Sequence, residues 1–325
     1  MRKYFALFLI LGMLSCSDND DDTNPSDVNY RSEMRSFVIG ISQYAKNGNP
    51  NFAIIPQNGI ELVSETTDAL GNPSLAYLNA IDANGQEDLF FGYDNDDVAT
   101  PVSVSNYLNG FLAISKNAGK KILATDYCST HTKMTSSYNQ NEALGYISFA
   151  ANQRNLNNIP NFPTPIMNEN NTVVTNIRQA RNFLYLINAE NYNTKAQFIN
   201  AVTATNYDAL IMDLYFNDGT AFTASEITQL KNKANGGKRI VISYMSIGEA
   251  EDYRSYWNPT WNSNKPTWLD AENPNWAGNY KVKYWYPEWQ SIIYGNDTSY
   301  LKKILDAGFD GVYLDIIDAF EYYEN

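Results

Sequence analysis

Cysteine and histidine are scarce in this sequence. Its 325 residues include two cysteines, Cys16 and Cys128, and one histidine, His131. Two thiols are too few for a disulfide framework, and three such residues in all argue against a Cys/His zinc site. A Ser-His-Asp triad would have to use His131, to which we assign no role. The sequence therefore predicts neither a bound metal nor a cofactor.

Basic residues are outnumbered as well. The chain has 23 Lys and Arg against 36 Asp and Glu, which gives a formal net charge of −13. An acidic surface repels phosphate, so nucleic acid and an anionic membrane surface are disfavoured as partners. A cationic ligand is compatible with this charge, although acidity also serves solubility alone.

Aromatic residues are abundant by contrast. They make up 14% of the chain, with 24 Tyr and 6 Trp. Such side chains stack on sugar rings in clefts, but they also fill cores and interfaces. Composition leaves both interpretations open.

The first 25 residues have the pattern of an export signal. Arg2 and Lys3 precede an apolar run, residues 4–14, which is too short to span a bilayer. The following Leu14-Ser15-Cys16 resembles a bacterial lipoprotein signal, in which Cys16 becomes the lipidated first residue. Residues 17–22, SDNDDD, resemble the acidic export signal of Bacteroidetes surface lipoproteins, and would also make a disordered tether. We predict an exported lipoprotein of the outer membrane or cell surface, attached to the membrane only through lipid.

The rest of the chain, residues 26–325, alternates short apolar runs with helical patterns. This alternation predicts a parallel α/β fold, and we expect a single (β/α)₈ TIM-like barrel. The sequence contains nine candidate strands, whereas a closed barrel needs eight. We expect one of them, residues 77–81 or 282–285, to be misread or to lie outside the barrel. A doubly wound open sheet is the alternative. It lacks its nucleotide-binding signature, since no G-x-G-x-x-G or G-x-x-x-x-G-K-[ST] follows a predicted strand.

Polar residues at the ends of predicted strands are the candidate site. Acidic residues at the carboxyl ends of barrel strands are typical of catalysis, and six occupy such places: Glu87, Asp126, Asp213, Glu249, Asp315 and Asp318. Gln57 and Asn58 offer amides to sugar hydroxyls, although Asn58-Gly59 is also a common turn. Tyr244 and Trp285 are candidates for stacking on sugar rings, or for ordinary packing.

Four stretches carry a family resemblance. They are VISYMSIGEAEDYR (241–254), ENPNW (272–276), YWYPEWQ (284–290) and GVYLDIIDAFEYYE (311–324). Together they resemble the endo-α-1,4-polygalactosaminidase family, glycoside hydrolase family 114, and its bacterial relatives. The resemblance implies a TIM-like barrel and a partly deacetylated galactosamine polymer as the substrate.

The order of these stretches departs from that family. There, the segment like 311–324 is followed by a helix and then by a strand ending in a P-Q-N-G-like turn. Here the matching helix (30–46) and strand (52–59) lie near the N-terminus. The chain therefore resembles a circular permutation, with its termini in the loop after the strand bearing Asp315. The Asn-, Pro- and Thr-rich linker 157–176 would join the ancestral ends. A truncated gene beside a fused fragment is the alternative.

Glycoside hydrolysis needs two carboxyl groups across a cleft. From the resemblance we assign Asp315 the nucleophilic or charge-stabilising role and Glu87 the role of general acid. Glu249 and Asp213 are assigned to substrate binding or to tuning a neighbour's pKa, with catalysis as an open alternative. Asp318 and Asp126 are assigned to substrate binding. The first hypothesis is therefore a surface-anchored glycoside hydrolase. The second is a non-catalytic glycan-binding lipoprotein on the same barrel, because a fold does not imply a function.

Overall fold

The computed structural model describes residues 28–324. Between these residues lie eleven strands: β1 (Ala53–Pro56), β2 (Ala83–Glu87), β3 (Lys121–Tyr127), β4 (Ile147–Ala151), β5 (Phe183–Tyr185), β6 (Ala209–Met212), β7 (Ile240–Ser246), β8 (Glu249–Glu251), β9 (Leu269–Glu272), β10 (Asn279–Val282) and β11 (Gly311–Asp315). Strands β8, β9 and β10 form a small antiparallel sheet, and the others pair in parallel.

The parallel strands succeed one another in the order of the chain. One sheet has the order β1-β11-β7-β6-β5, and the other has the order β2-β3-β4. A bridge between Gln57 and Gly85 links the two sheets at β1 and β2, and the Asp82 amide donates to the Ile54 carbonyl at 2.9 Å. At the other junction the rings of Phe149 on β4 and Phe183 on β5 lie 5.9 Å apart. With β11 beside β1, this is an α/β fold with the strand order of a TIM-like barrel, not of a doubly wound sheet.

Nine helices lie among the described residues: α1 (Tyr30–Gly48), α2 (Leu75–Ala80), α3 (Val102–Asn117), α4 (His131–Ala143), α5 (Lys195–Thr203), α6 (Ala224–Leu230), α7 (Pro287–Ile293), α8 (Tyr300–Asp306) and α9 (Ala319–Glu324). Helix α1 follows its 3.6-residue period, since Met34, Val38 and Ile41 are all fully buried. Its first turn is capped by Asn29, whose side chain accepts from the Ser32 amide. A capping box of Thr223 and Glu226 begins α6.

The two doubtful strands are both resolved. Residues 77–81 fall on helix α2 and the residue after it, where Tyr77 and Leu78 are buried side by side. The strand lies just beyond them, in the polar sequence ANGQE of β2. Val282 ends β10 in the antiparallel sheet, outside the parallel strands. Residues 77–81 were therefore misread as a strand, and the strand that ends at Val282 lies outside the parallel sheets.

The linker 157–176 is anchored at the amino-terminal ends of β6 and β7. The ammonium group of Lys233 lies 2.8 Å from the carboxylate of Asp208, and both side chains are fully buried. Lys233 also donates to the Asn170 carbonyl at 2.9 Å, and the Asn170 amide donates to Asp208 at 2.9 Å. The linker has a composition typical of an unstructured segment, but its contacts with a buried ion pair hold it in place.

Within the described residues no helix combines the length and the apolarity needed to cross a membrane. Cys16 and residues 1–25 lie outside the described part of the chain, so the signal peptide and the lipid anchor stay predictions.

Candidate active site

A cleft of about 660 Å³ opens at the carboxyl ends of the parallel strands. Six carboxylates and two guanidinium groups line it: Glu87, Asp213, Glu249, Glu251, Asp315, Asp318, Arg154 and Arg254. The excess of negative charge makes the cleft attractive to cations. Five of the six acidic candidates from the sequence meet here.

Asp315 ends β11 at the floor of this cleft. The hydroxyl of Tyr244, on the neighbouring strand β7, donates to its Oδ2 at 2.6 Å. Burial raises the pKa of Asp315 to about 7, and the negative charge of Glu87 adds to this rise, while the Tyr244 hydrogen bond opposes it. Asp315 can therefore hold a proton near neutral pH. Tyr244, expected as a sugar-binding residue, also contacts this carboxylate.

Glu87 ends β2, two strands away from Asp315 with β1 between. Its Oε2 accepts from the side-chain amides of Gln57 and Asn58, at 2.5 and 3.1 Å. Its Oε1 accepts from the hydroxyl of Tyr127. The hydroxyl of Tyr185 in turn donates to Gln57 Oε1 at 2.8 Å, which fixes the amide that faces Glu87. Gln57 and Asn58 thus orient a carboxylate, a role that the sequence analysis did not assign to them.

The backbone turns sharply after each of these three strands. Asn58, Asp88 and Ile316, which follow Gln57, Glu87 and Asp315, have φ values of 59°, 56° and 58°. Asn and Asp tolerate this left-handed region, but for a β-branched residue such as Ile316 it is a strained conformation. Gly248 permits it, since a Cβ there would lie 2.2 Å from the Ile316 carbonyl oxygen.

Glu249 is fully buried and paired. Lys281 lies 2.6 Å from its Oε1, and Asn273 donates to the same oxygen at 2.8 Å. The side chain is on the wall of the cleft, but its charge is already neutralised. This suits a binding or positioning residue better than a proton donor.

Asp213 shares a buried guanidinium group with Glu251. Arg254 lies 2.7 Å from Asp213 Oδ2 and 2.7 Å from Glu251 Oε2. Burial raises the pKa of Asp213, and the charge of Arg254 opposes that rise. Glu251 and Arg254 both lie in the stretch 241–254 that carries the family resemblance, but neither was assigned a role from the sequence. The available signal was their spacing, since Glu249 and Glu251 share strand β8 and Arg254 follows three residues later.

Asp318 lies in the cleft beyond the turn at Ile316. Burial raises its pKa to about 6, while a hydrogen bond from its own backbone amide and the charge of Lys281 oppose the rise. Among the described residues no Lys, Arg or His nitrogen lies within 4.0 Å of the carboxylates of Asp315, Glu87 or Asp318, whereas the other three cleft carboxylates are ion-paired. These three are the ones available for chemistry.

Two sequence candidates lie outside the cleft. Asp126 is fully buried, and its oxygens accept from the Phe90 and Phe91 amides and from Ser137 and Asn141. It fastens the loop after β2 to helix α4, so the structure gives it no access to a substrate. Trp285 packs between Tyr30 and Tyr323, at ring distances of 5.0 and 4.8 Å, and is a packing residue.

Exposed aromatic rings stand at the rim of the cleft instead. Trp276 and Tyr253 line it, and each is 62% exposed. A large apolar face kept in water beside a polar cleft is suited to stacking on a sugar ring.

If the cleft binds a polysaccharide, as expected from the sequence, Trp276→Ala should weaken that binding by about tenfold and leave the fold unchanged, because an aromatic stacking contact is worth roughly 1 kcal/mol or more. Binding isotherms with the polymer and a thermal melt would measure both quantities. Unchanged affinity would exclude Trp276 from the binding surface.

Within residues 28–324 no group of three or more His, Cys, Asp or Glu side chains is arranged to hold a metal ion.

Comparisons with known proteins match parts of the chain. The family model described as glycoside-hydrolase family GH114 matches residues 175–325. An uncharacterized protein of Methanocaldococcus jannaschii is 44% identical over 46% of this chain and 41% of its own length. Uncharacterized proteins of Thermotoga maritima and Deinococcus radiodurans are 41% and 39% identical, over 38% and 39% of this chain and 36% and 38% of theirs.

The chain thus spans about two fifths of the length of these relatives. A crystal structure of Aspergillus fumigatus Ega3 in complex with galactosamine aligns with a TM-score of 0.29 at 21% identity, over 50% of this chain and 51% of that chain. The sequence resemblance to GH114 is supported by the family match, which contains Asp213, Glu249, Glu251, Asp315 and Asp318. Residues 175–325 of this chain are therefore similar to glycoside-hydrolase family GH114.

Proposed function

We propose that this protein is a glycoside hydrolase that cleaves a polymer of galactosamine or a related amino sugar. The observation that carries the proposal is a pair of carboxylates, Asp315 and Glu87, that share one cleft without a basic partner. Adjacent strands lie about 4.8 Å apart, so the ends of β11 and β2 are roughly 10 Å apart across β1. Side chains converging from that separation can flank a single glycosidic bond.

The two environments favour different roles. Asp315 has a pKa raised to about 7 and can carry the proton that a leaving oxygen needs. Glu87 accepts hydrogen bonds from three donors, which orient its carboxylate for attack. We therefore assign Asp315 as the general acid and Glu87 as the nucleophile or general base, which reverses the roles expected from the resemblance.

The chemistry follows from these positions. Asp315 donates its proton to the glycosidic oxygen as the bond from that oxygen to the anomeric carbon breaks. Glu87 attacks the anomeric carbon, or takes a proton from the water that does so. Tyr244, Tyr127 and Gln57 hold the two carboxylates in place.

The charge of the cleft supports an amino-sugar substrate. Its carboxylates outnumber its guanidinium groups, and the amines of a deacetylated galactosamine polymer are cationic. Exposed Trp276 and Tyr253 offer faces for the sugar rings. The resemblance seen in the sequence points to the same substrate class.

We expect kcat/KM to fall as pH rises through about 7. A general acid acts only in its protonated form, and Asp315 loses its proton above its raised pKa. Initial rates from pH 5 to 9 would show this limb in the wild-type protein. A rate that rises through pH 7 would instead mark Asp315 as the nucleophile.

The circular permutation is a further part of the proposal. The family match begins at residue 175, where the linker 157–176 ends, and β11 pairs with β1. We expect a relinked protein, with residues 157–325 placed before residues 28–156 so that the linker and its contacts are kept, to fold with a thermal midpoint near that of the original. An unfolded product would contradict the proposed ancestral order.

The hydrolase proposal is tested by incubating the protein with deacetylated α-1,4-galactosamine polymer and measuring new reducing ends. We expect cleavage of this polymer and much slower cleavage of its fully N-acetylated form. If the protein binds the polymer but releases no reducing ends, the glycan-binding hypothesis is correct and the hydrolase proposal is wrong.

A further inference from the structure

A second pocket, of about 460 Å³, adjoins the cleft. It is formed by the segments that follow β1 and β2 together with helices α3 and α9. Asn58, Glu87 and Asp318 line both spaces. Its volume is within the range of roughly 300–1,000 Å³ that small-ligand sites occupy. A polymer lying in the cleft could therefore continue into the pocket past Glu87.

The lining of the second pocket is acidic. Its five carboxylates are those of Glu61, Glu87, Asp88, Asp318 and Glu321. None of the described residues that line the pocket is Lys or Arg. Asp88 is ion-paired with Arg154, which lies outside the pocket, at 3.0 Å. Burial is the largest cause that raises the pKa of Glu321, and the nearby charges of Glu61 and Asp318 add to it, while the charge of Arg31 opposes the rise. A cationic group placed here would relieve that repulsion.

Buried polar groups give the pocket specific contacts as well as charge. Glu61 is only 7% exposed, and the Tyr107 hydroxyl holds its Oε1 at 2.8 Å. Gln86 is 4% exposed, and its Nε2 donates to Asn58 Oδ1 and to the Glu87 carbonyl. Its Oε1 has no hydrogen-bond partner among the described residues. This oxygen is itself buried, so Gln86 shapes the pocket through the two hydrogen bonds that it donates.

The rim of the pocket carries two half-exposed tyrosines, Tyr93 and Tyr107. Their rings offer apolar faces next to the acceptors below. Acceptors, negative charge and aromatic faces together match a sugar ring that bears an ammonium group.

We propose that the second pocket is an additional sugar subsite, which takes a 2-amino sugar residue with a free ammonium group from the same polymer that the cleft cleaves. The subsite rests on the proposed function for the identity of the polymer. It requires that at least one residue beside the cleavage point be deacetylated. Glu61 would accept a hydrogen bond from that residue.

The test compares the binding of two ligands to a cleavage-deficient protein. In the full chain carrying Asp315→Asn, calorimetric titration with an α-1,4-galactosamine hexamer is compared with titration by the same hexamer after chemical N-acetylation. Glu61→Gln removes one charge but keeps an oxygen for the Tyr107 hydroxyl. Tyr93→Ala removes an exposed ring. Glu142→Gln is the matched control, because Glu142 is exposed at the end of α4 and lines neither space.

We expect Glu61→Gln to weaken binding of the deacetylated hexamer by about tenfold and to leave the N-acetylated hexamer unchanged, since a hydrogen bond between charged groups is lost. Tyr93→Ala should weaken both ligands, and Glu142→Gln neither. Equal losses for both hexamers, or no loss with Glu61→Gln, would overturn the subsite. If this pattern is found but the wild-type protein cuts no polymer, the subsite stands and the hydrolase proposal alone fails.

Discussion

Asp315→Asn should lower kcat/KM on deacetylated galactosamine polymer by about a hundredfold or more. General acid catalysis contributes roughly 10²–10⁴ to the rate, and an amide in this place has no proton of suitable acidity to give. The substitution keeps the size of the side chain and its contact with Tyr244. Reducing-end assays on the purified variant, with Glu142→Gln as a charge-matched control, would measure the loss.

The leaving group separates the two catalytic roles. A dinitrophenyl galactosaminide needs little protonation as it departs, so Asp315→Asn should cut this substrate with less than about a tenfold loss. Glu87→Gln should lose activity on both substrates, because attack on the anomeric carbon is required for each of them. If Asp315→Asn is equally inactive on both, the acid is a different residue and Asp315 is the nucleophile.

Lys233→Met should reduce the free energy of unfolding by about 3–5 kcal/mol. The substitution leaves the fully buried carboxylate of Asp208 without its ammonium partner, and removing one member of a buried pair costs this much. The loss also detaches the Asn170 carbonyl, so the linker 157–176 should become more sensitive to proteolysis. Urea denaturation followed by tryptophan fluorescence would give the free energy.

Two comparisons make this prediction specific. Lys302→Met removes an exposed pair with Asp306 one helical turn away, and should produce no resolvable change. The double variant Lys233→Met with Asp208→Asn should recover part of the loss, because no uncompensated charge remains. A single variant as stable as the wild type would show that the pair does not anchor the linker.

Much of the fold was predictable because burial imposes simple periods on the sequence. Helix α1 shows its buried face directly, and β11 reads as an apolar run that ends in Asp315. Strand β2 was missed because its residues, ANGQE, are polar and include a glycine. Gly85 is needed there, since a Cβ would lie 2.0 Å from the Tyr313 hydroxyl in the barrel interior. In β2, small and polar residues thus replace the apolar run by which a strand is recognised in a sequence.

The site was predictable as a set of positions but not as a set of roles. Carboxylates at strand ends converge on the cleft, as the barrel requires. Which of them is ion-paired depends on residues far away in sequence, such as Lys281 beside Glu249 and Arg254 beside Asp213. Asp126 had the same sequence signature as Asp315, yet a cluster of donors from other elements turned it into a structural residue.

Because β1 pairs with β11, we expect the proposed catalytic pair to assemble late in folding. Glu87 and Asp315 are held on either side of β1, so the pair cannot form until residues from opposite ends of the described chain have met. Closing such a long loop is entropically expensive, and contacts of high sequence separation slow folding. An incompletely synthesised or half-folded chain would therefore contain most of the barrel but no functional carboxylate pair. Activity would then report on completion of the fold more strictly than helix content does.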